Sequence, residues 1–244
     1  MAAAPTARHF RSSSLPVLGI VIPALNCAAA LDRTLDAIGT PAEAAGWPVV
    51  VVDGGSTDDT VEVARRHGVQ AIPSPRGRGP QLAAGAAAAM EAGAGWLFFL
   101  HADSIPEQGW QEALAVFMAE PANRDRAGYG RFALDDPSPA ARRLETMVAW
   151  RCRWLGLPYG DQGLLIHRSL YHSVGGFPPF ELMEDVALVR RIGRARLSAL
   201  PITVTTSAER YRRGGYIRRP LRNLSCLALY LMGVAPPVIR RLYG

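Results

Sequence analysis

The chain has 244 residues, a formal net charge of +6, and 49% hydrophobic and 20% charged residues. This composition belongs to a globular chain long enough to bury one large core, which excludes a disordered polymer and a small disulfide-stapled scaffold. All 27 basic residues are arginine and they are unevenly spread: residues 1–140 hold 10 Arg against 15 acidic residues, and residues 141–244 hold 17 against 6.

Cys27, Cys152 and Cys226 lie far apart and form no C-x-x-C pair. That argues against a zinc cluster or redox motif and fits a reducing compartment. Residues 1–15 are basic without an apolar stretch and read as a flexible tail rather than a signal peptide. Leu224–Ile239, interrupted by Pro236–Pro237, is too short for the roughly 20 residues of a spanning helix. A cytoplasmic location is expected.

In chain order, Val17–Ile22 predicts a buried strand, and Ala28–Ile38 a helix with Leu31, Leu35 and Ile38 on one face. The four valines Val49–Val52 fit a central parallel strand buried on both faces. A helix over Asp58–His67, a strand over Val69–Ile72, an alanine-rich helix over Gln81–Ala92, a strand over Trp96–Leu100 and a helix over Pro106–Ala119 follow. This alternation means βαβ units and a parallel sheet, whose ligands bind beyond the carboxyl ends of the strands. The loops at Pro23–Cys27, Asp53–Asp58, Ser74–Pro80 and His101–Ile105 are therefore where chemistry is expected.

The second half changes character. A strand is expected over Tyr129–Leu134, a helix over Pro139–Leu155, a loop over Leu157–Gly163 and a strand over Leu164–His167. A Gly/Pro-rich loop, Gly175–Glu181, precedes a helix from Glu184 to about Ile192. Two short strands, Leu197–Leu200 and Ile202–Thr206, and a terminal helix over Tyr216–Met232 complete the reading. No repeat or linker divides the chain: residues 16–208 form one domain, and 209–244 a basic, apolar helical extension of it.

Five motifs carry chemistry. In Val51–Thr60 an aspartate, Asp53, stands just past a buried strand, placed to bond a base or ribose. Ser56 and Asp59 have the spacing of a capping box, so an ordinary capped junction is the alternative for those residues. In Ser74–Gln81 two arginines among glycines open a helix, an arrangement that favours phosphate, or else makes a solvated basic turn. It lacks the third glycine of a dinucleotide fingerprint and the Lys of a P-loop.

Asp103 in His101-Ala102-Asp103 can hold a divalent cation against a diphosphate, with His101 as a second ligand or a plain loop residue. Tyr159–Gly163 is a polar Gly-flanked turn. Glu184–Asp185 opens a helix, where acidic side chains serve the helix dipole or act as a general base.

The order and spacing of these motifs from Leu18 to Gly193 resemble the family 2 glycosyltransferases, and within them a compact bacterial subgroup with Arg-Gly-Arg-Gly and His-Ala-Asp signatures. The resemblance implies a GT-A-like α/β fold, a mostly parallel nucleotide-binding sheet with helices on both faces and a C-terminal helical region. It also implies an enzyme that moves one sugar from a UDP-, GDP- or dTDP-linked donor to an unidentified acceptor, lipid-linked or anionic, with inversion.

By position, Pro23, Ala24 and Asn26 would flank the nucleobase, and Asp53, with Ser56 and Asp58, would bind base or ribose. Arg76, Arg78, Gln81, Asp161 and Gln162 would line the donor site. Asp103, with His101, would hold Mg²⁺ or Mn²⁺ on the diphosphate. Asp185 would take the acceptor proton, with Glu184 beside it. His101 stands where the family often has Asp, which weakens the expected metal site. The Gln-x-x-Arg-Trp of processive synthases is missing, which favours single transfer. A nucleotidyltransferase would need a Gly-rich, Lys-containing loop after the first strand, where Pro23-Ala24-Leu25-Asn26 stands instead. A non-catalytic binding module would not need Asp53, Asp103 and Asp185 together.

Arg210, Arg212, Arg213, Arg218, Arg219 and Arg222 precede the apolar Leu224–Val234. They form the solvated rim of a packed helix, or meet an anionic membrane at its inner face, or reach donor or acceptor phosphate. Nucleic acid is not expected as a partner, for lack of a binding motif.

Overall fold

The computed structural model describes residues 17–243, so the expected basic tail of residues 1–15 lies outside the described residues. Strand β1 (Leu18–Ala24), helix α1 (Ala28–Ala44), β2 (Val49–Asp53), α2 (Thr60–Arg66), β3 (Gln70–Pro73), α3 (Arg78–Glu91) and β4 (Trp96–Phe99) alternate as expected. Then come β5 (Ser104–Pro106), α4 (Trp110–Ala119), β6 (Ala127–Leu134), α5 (Pro139–Leu155), β7 (Leu164–His167), α6 (Arg168–Ser173) and α7 (Glu184–Ile192). The chain ends in β8 (Leu197–Thr206), α8 (Glu209–Gly214), α9 (Arg218–Leu231) and α10 (Pro236–Tyr243).

One eight-stranded sheet has the order β3-β2-β1-β4-β7-β6-β8-β5. It is parallel through β3-β2-β1-β4 and again between β6 and β8; β7 runs antiparallel to both neighbours, and β5 antiparallel to β8. The period of two along each strand splits the apolar runs between two cores. Val51 joins Ile20, Ile22 and Phe98 on one face, under α1 and α4; Val50 and Val52 join Val21, Leu97 and Phe99 on the other, under α3, α6 and α7. Each such fully buried Val or Leu contributes about 1.5–3 kcal/mol. Both faces are thus covered by helices.

The strand directions decide which loops meet. The carboxyl ends of β1, β2, β4, β6 and β8 all point to one rim, and β7, being reversed, presents its amino end there. Residues 24–28, 53–58, 100–103, 157–163 and 207–210 therefore share that rim.

Four local expectations are corrected. Helix α2 starts at Thr60, without a Ser56–Asp59 capping box: Ser56 Oγ instead accepts from Asn26 N (2.9 Å), and Asp58 accepts from Thr60 N (3.1 Å) and Ala28 N (3.2 Å). The pairing of loop 26–28 with loop 56–60 takes the groups a cap would use. The two strands expected around Pro201 are one, β8, because a register shift at Tyr129/Arg131 of β6 lets the pairing pass the proline. The short β5 and α6 were not anticipated, being too brief to show a period. The terminal helix expected over Tyr216–Met232 is α9, but the flanking α8 and α10 were not anticipated; Pro236 opens α10, where a missing N–H costs nothing.

Candidate active site

An open cleft of about 830 Å³ lies on the rim. Among its lining residues are Pro23, Ala24, Asn26, Asp58, Arg76, Arg78, Gln81, His101 and Asp103. These come from the loops after β1, β2, β3 and β4, which is where a parallel sheet places ligand-binding groups.

The end of the cleft at β1 and β2 is built by two interlocked loops. Asn26 has a left-handed backbone (φ 47°), which Asn tolerates, and its Oδ1 accepts from Thr57 N at 2.8 Å. Cys27 N donates to Thr60 Oγ1 at 2.9 Å. Asp53 is buried at the end of β2, and its carboxylate accepts from Gly55 N (3.0 Å) and Ser56 N (3.1 and 3.2 Å). An ionised carboxylate has about four lone-pair sites, so some acceptor capacity remains after closing this turn. Neither Asp53 nor Ser56 lines the cleft directly.

Gln81 is a clamp. Its Nε2 donates to Ala24 O and Val52 O, both at 2.8 Å, tying the ends of β1 and β2 together beneath the cleft floor. Its expected donor contact is corrected in this respect: the side-chain amide N–H groups are spent on the backbone. Gln162 is likewise turned inward, 2% exposed: Nε2 donates to Gly130 O (2.9 Å), and Oε1 accepts from Tyr159 N (3.2 Å), Arg151 Nη2 (3.3 Å) and Cys152 Sγ (3.1 Å). It fixes the 157–163 loop rather than facing the cleft.

The charged centre lies around Arg78. Burial works against its charge, but Glu184, Asp185, Asp103 and Asp161 together raise its pKa above the ordinary arginine value. His101 is pushed well below its usual 6.5 by burial and by the charges of Arg78 and Arg210. It is a neutral imidazole at pH 7, the form that binds metal. Asp103 is mostly buried, with Arg210 Nη2 4.0 Å from Oδ2. Among the described residues, no three His, Cys, Asp or Glu side chains converge as a ready-made metal cage. The protein set is two donors, Asp103 and His101, and it fits a divalent cation whose other ligands are diphosphate and water oxygens.

The acid pair sits beside it. Met183, left-handed at φ 68°, sets Glu184 and Asp185 in the first turn of α7. Asp185 Oδ2 accepts from Gly160 N at 3.0 Å and Oδ1 from Val186 N at 2.7 Å. Gly160 itself packs on His101: a Cβ there would stand 2.6 Å from Nε2. The loop that holds Asp185 is therefore in contact with the imidazole of His101. Glu184, 1% exposed, is pushed up to about 8 by burial and by Asp185, with Arg78 opposing. Asp161 is raised to about 6, chiefly by burial, and its Oδ1 has no hydrogen-bond partner. At pH 7 Glu184 is mainly protonated. Asp161, Glu184 and Asp185 are not among the residues that line the cleft, but their charges act on Arg78, which does.

The structure adds residues that the sequence reading left unplaced. Ser207, Glu209, Arg210 and Arg213 follow β8 onto the rim, and Glu181, Arg219 and Arg240 close the far side of the cleft. Arg240 Nε pairs with Glu181 at 3.2 Å. Arg151 caps the ring of Tyr159, 3.5 Å from its centroid, and donates to Leu157 O at 2.9 Å. The arginine excess after residue 140 was the available signal; its aim into the cleft depends on the direction of β8.

With this geometry in place, residues 19–177 match the family model for glycosyl transferase family 2. The chain belongs to glycosyl transferase family 2. A PGL/p-HBAD biosynthesis glycosyltransferase of Mycobacterium tuberculosis is 34% identical over 119 residues, 43% of each chain. An uncharacterized glycosyltransferase of the same organism is 45% identical over 71 residues, 29% of this chain and 30% of the relative. The chain thus matches less than half the length of these curated relatives.

Among solved structures, the mannosyltransferase PcManGT from Pyrobaculum calidifontis, in complex with GDP-Man and Mn²⁺, aligns with a TM-score of 0.59 at 22% identity, over 93% of this chain and 68% of its own. Glucosyl-3-phosphoglycerate synthase from M. tuberculosis, in complex with Mn²⁺, UDP-Glc and phosphoglyceric acid, aligns with a TM-score of 0.54 at 20% identity, over 79% of this chain and 70% of its own. At these identities the likeness establishes the GT-A-like fold of this family 2 chain.

Proposed function

We propose that the protein transfers one sugar from a nucleotide-sugar donor (UDP-, GDP- or dTDP-linked) to an acceptor hydroxyl, with inversion at the anomeric carbon. The observation that carries this reading is the position of Arg78. It lines the cleft with Asp103 and His101, and its charge is sustained by Glu184, Asp185, Asp103 and Asp161, so a cation suited to phosphate and the acid pair act on one another at this rim.

Asp53 and the 26–28 and 55–58 turns hold the nucleoside, and Arg76 and Arg78 the charged part of the donor. Asp103 and His101 would hold Mg²⁺ or Mn²⁺, which when bound neutralises charge on the departing diphosphate. Asp185 accepts the proton of the incoming hydroxyl; its hydrogen bonds from Gly160 N and Val186 N fix its orientation. Glu184, protonated, keeps a second negative charge away from that site at pH 7. An inverting single displacement needs a base on the face opposite the leaving group, which supports Asp185 over Asp103 for this role.

Replacing Asp185 by Asn tests the assignment. Turnover of a nucleotide-sugar donor falls by at least about a hundredfold, the range for loss of a general base. Nucleotide binding, read as a thermal shift with Mn²⁺, stays within about twofold. Undiminished turnover would remove Asp185 from the base role. Absence of a thermal shift with every nucleoside diphosphate would remove the donor class itself.

A further inference from the structure

Two neighbouring elements keep apolar faces in water. On α9 and its preceding residue, Ile217, Leu221, Leu224, Leu231 and Met232 recur at helical spacing, from 49% exposed at Leu231 to 75% at Ile217. On α5, Met147, Trp150, Trp154 and Leu155 are each at least half exposed. These faces are not spare core. The inner side of α9 is already used, with Cys226 and Leu227 packed on Met183, Val186 and Val189. Leu157, two residues beyond α5, lies in that same cluster, so the C-terminal end of α5 runs into the packing beneath α9. Helix α10 adds Val238 and Leu242.

Charge identifies the occupant. Residues 210–244 contain eight arginines and no acidic residue. Arg218 and Arg241 are exposed beside the apolar residues of α9 and α10, and Arg143 and Arg153 are exposed on α5. A second copy of this chain would press like charges together with no acid to answer them, which costs binding. An anionic lipid surface answers both features: acyl boundary for the leucines and tryptophans, headgroups for the arginines.

We infer that α5, α9 and α10 form the face by which the protein lies on an anionic bilayer. Among the described residues no helix is long and apolar enough to cross one. Arg219 and Arg240, from the same helices, line the cleft, so its mouth adjoins this face. On the glycosyltransferase reading, an acceptor carried in the membrane would meet the cleft directly.

The test is binding of the full chain to vesicles of phosphatidylcholine alone and with phosphatidylglycerol added. It needs no donor or acceptor, so it fails or succeeds apart from the enzymatic reading. Expected are sedimentation with the anionic vesicles, release by salt, and a blue shift of tryptophan emission. Trp47, Trp96 and Trp110 are already buried, so the shift reports Trp150 and Trp154. The double variant Leu221→Asp/Leu224→Asp weakens partitioning at least about tenfold with its melting temperature unchanged. Arg218→Glu and Arg241→Glu each weaken it at least about fivefold. Should the leucine variant misfold, Trp150→Ala/Trp154→Ala serves on the other helix. The inference is overturned by no sedimentation at low salt, by folded variants that bind as well as the parent, by a dimer in light scattering that the leucine variant dissolves, or by retention on DNA with none on vesicles.

Discussion

Glu184 offers a quantitative test of the buried charge cluster. Folded, its carboxyl holds a proton to about pH 8, against 4.5 for an ordinary glutamate. Between these values the native chain binds more protons than the unfolded one, so stability falls as pH rises. The contribution is fully present below pH 4.5 and is lost as pH passes through 8. Between about pH 5 and pH 8 this amounts to about 3.5 kcal/mol at about 1.4 kcal/mol per pH unit, tapering near the upper end. For a chain of this size that is a fall of roughly 7–14 °C in Tm.

The Glu184→Gln variant keeps the shape and removes the titration. Its Tm, measured beside the parent at intervals over that range, loses this slope, and at pH 8 the variant is the more stable of the two. Equal pH slopes for the two proteins would refute the burial argument and, with it, the protonated state assigned to Glu184 at pH 7.

Further predictions follow from single contacts. Asp103→Asn lowers the Mn²⁺-dependent part of nucleotide affinity at least about tenfold, measured by titration calorimetry with and without chelator. Gln81→Leu removes two buried hydrogen bonds, to Ala24 O, which keeps its bond from Gly54 N, and to Val52 O, and chemical denaturation shows a loss of about 1–3 kcal/mol. Gly79→Ala places a Cβ 2.1 Å from Pro178 O and 2.6 Å from Phe180 O, so the melting temperature drops although alanine is the better helix former.

The front half of the fold was legible because its signals are local. Val49–Val52 and Trp96–Phe99 declare two-faced burial, and Asp53 and Asp103 stand at the strand ends where a parallel sheet binds ligands. The acid pair was legible from Glu184–Asp185 opening a helix. What escaped was set by long-range geometry. Gln81 and Gln162 look like ligand groups in sequence, but carbonyls from distant strands claim their amides. The six arginines from 210 to 222 divide between cleft and outer surface according to which turn of α8 and α9 each occupies, and that depends on where β8 delivers the chain. A ten-residue strand carrying Pro201 could not be read as continuous without the register shift in its partner.

Gly79 N donates to Phe180 O at 2.9 Å, joining the start of α3 to the loop that leads into α7. The glycine is part of Arg-Gly-Arg-Gly, and the loop ends at the acid pair. The motif thus has two readers. The cleft reads its arginines, and the backbone of residues 178–180 reads its second glycine. Any change in the length of the 175–183 loop would shift Glu184 and Asp185 relative to Arg76 and Arg78 by the same step that breaks this bond. The two motifs, a hundred residues apart in the chain, are therefore not free to drift independently; they form a single gauge block, and any redesign of the cleft on this scaffold has to include that loop.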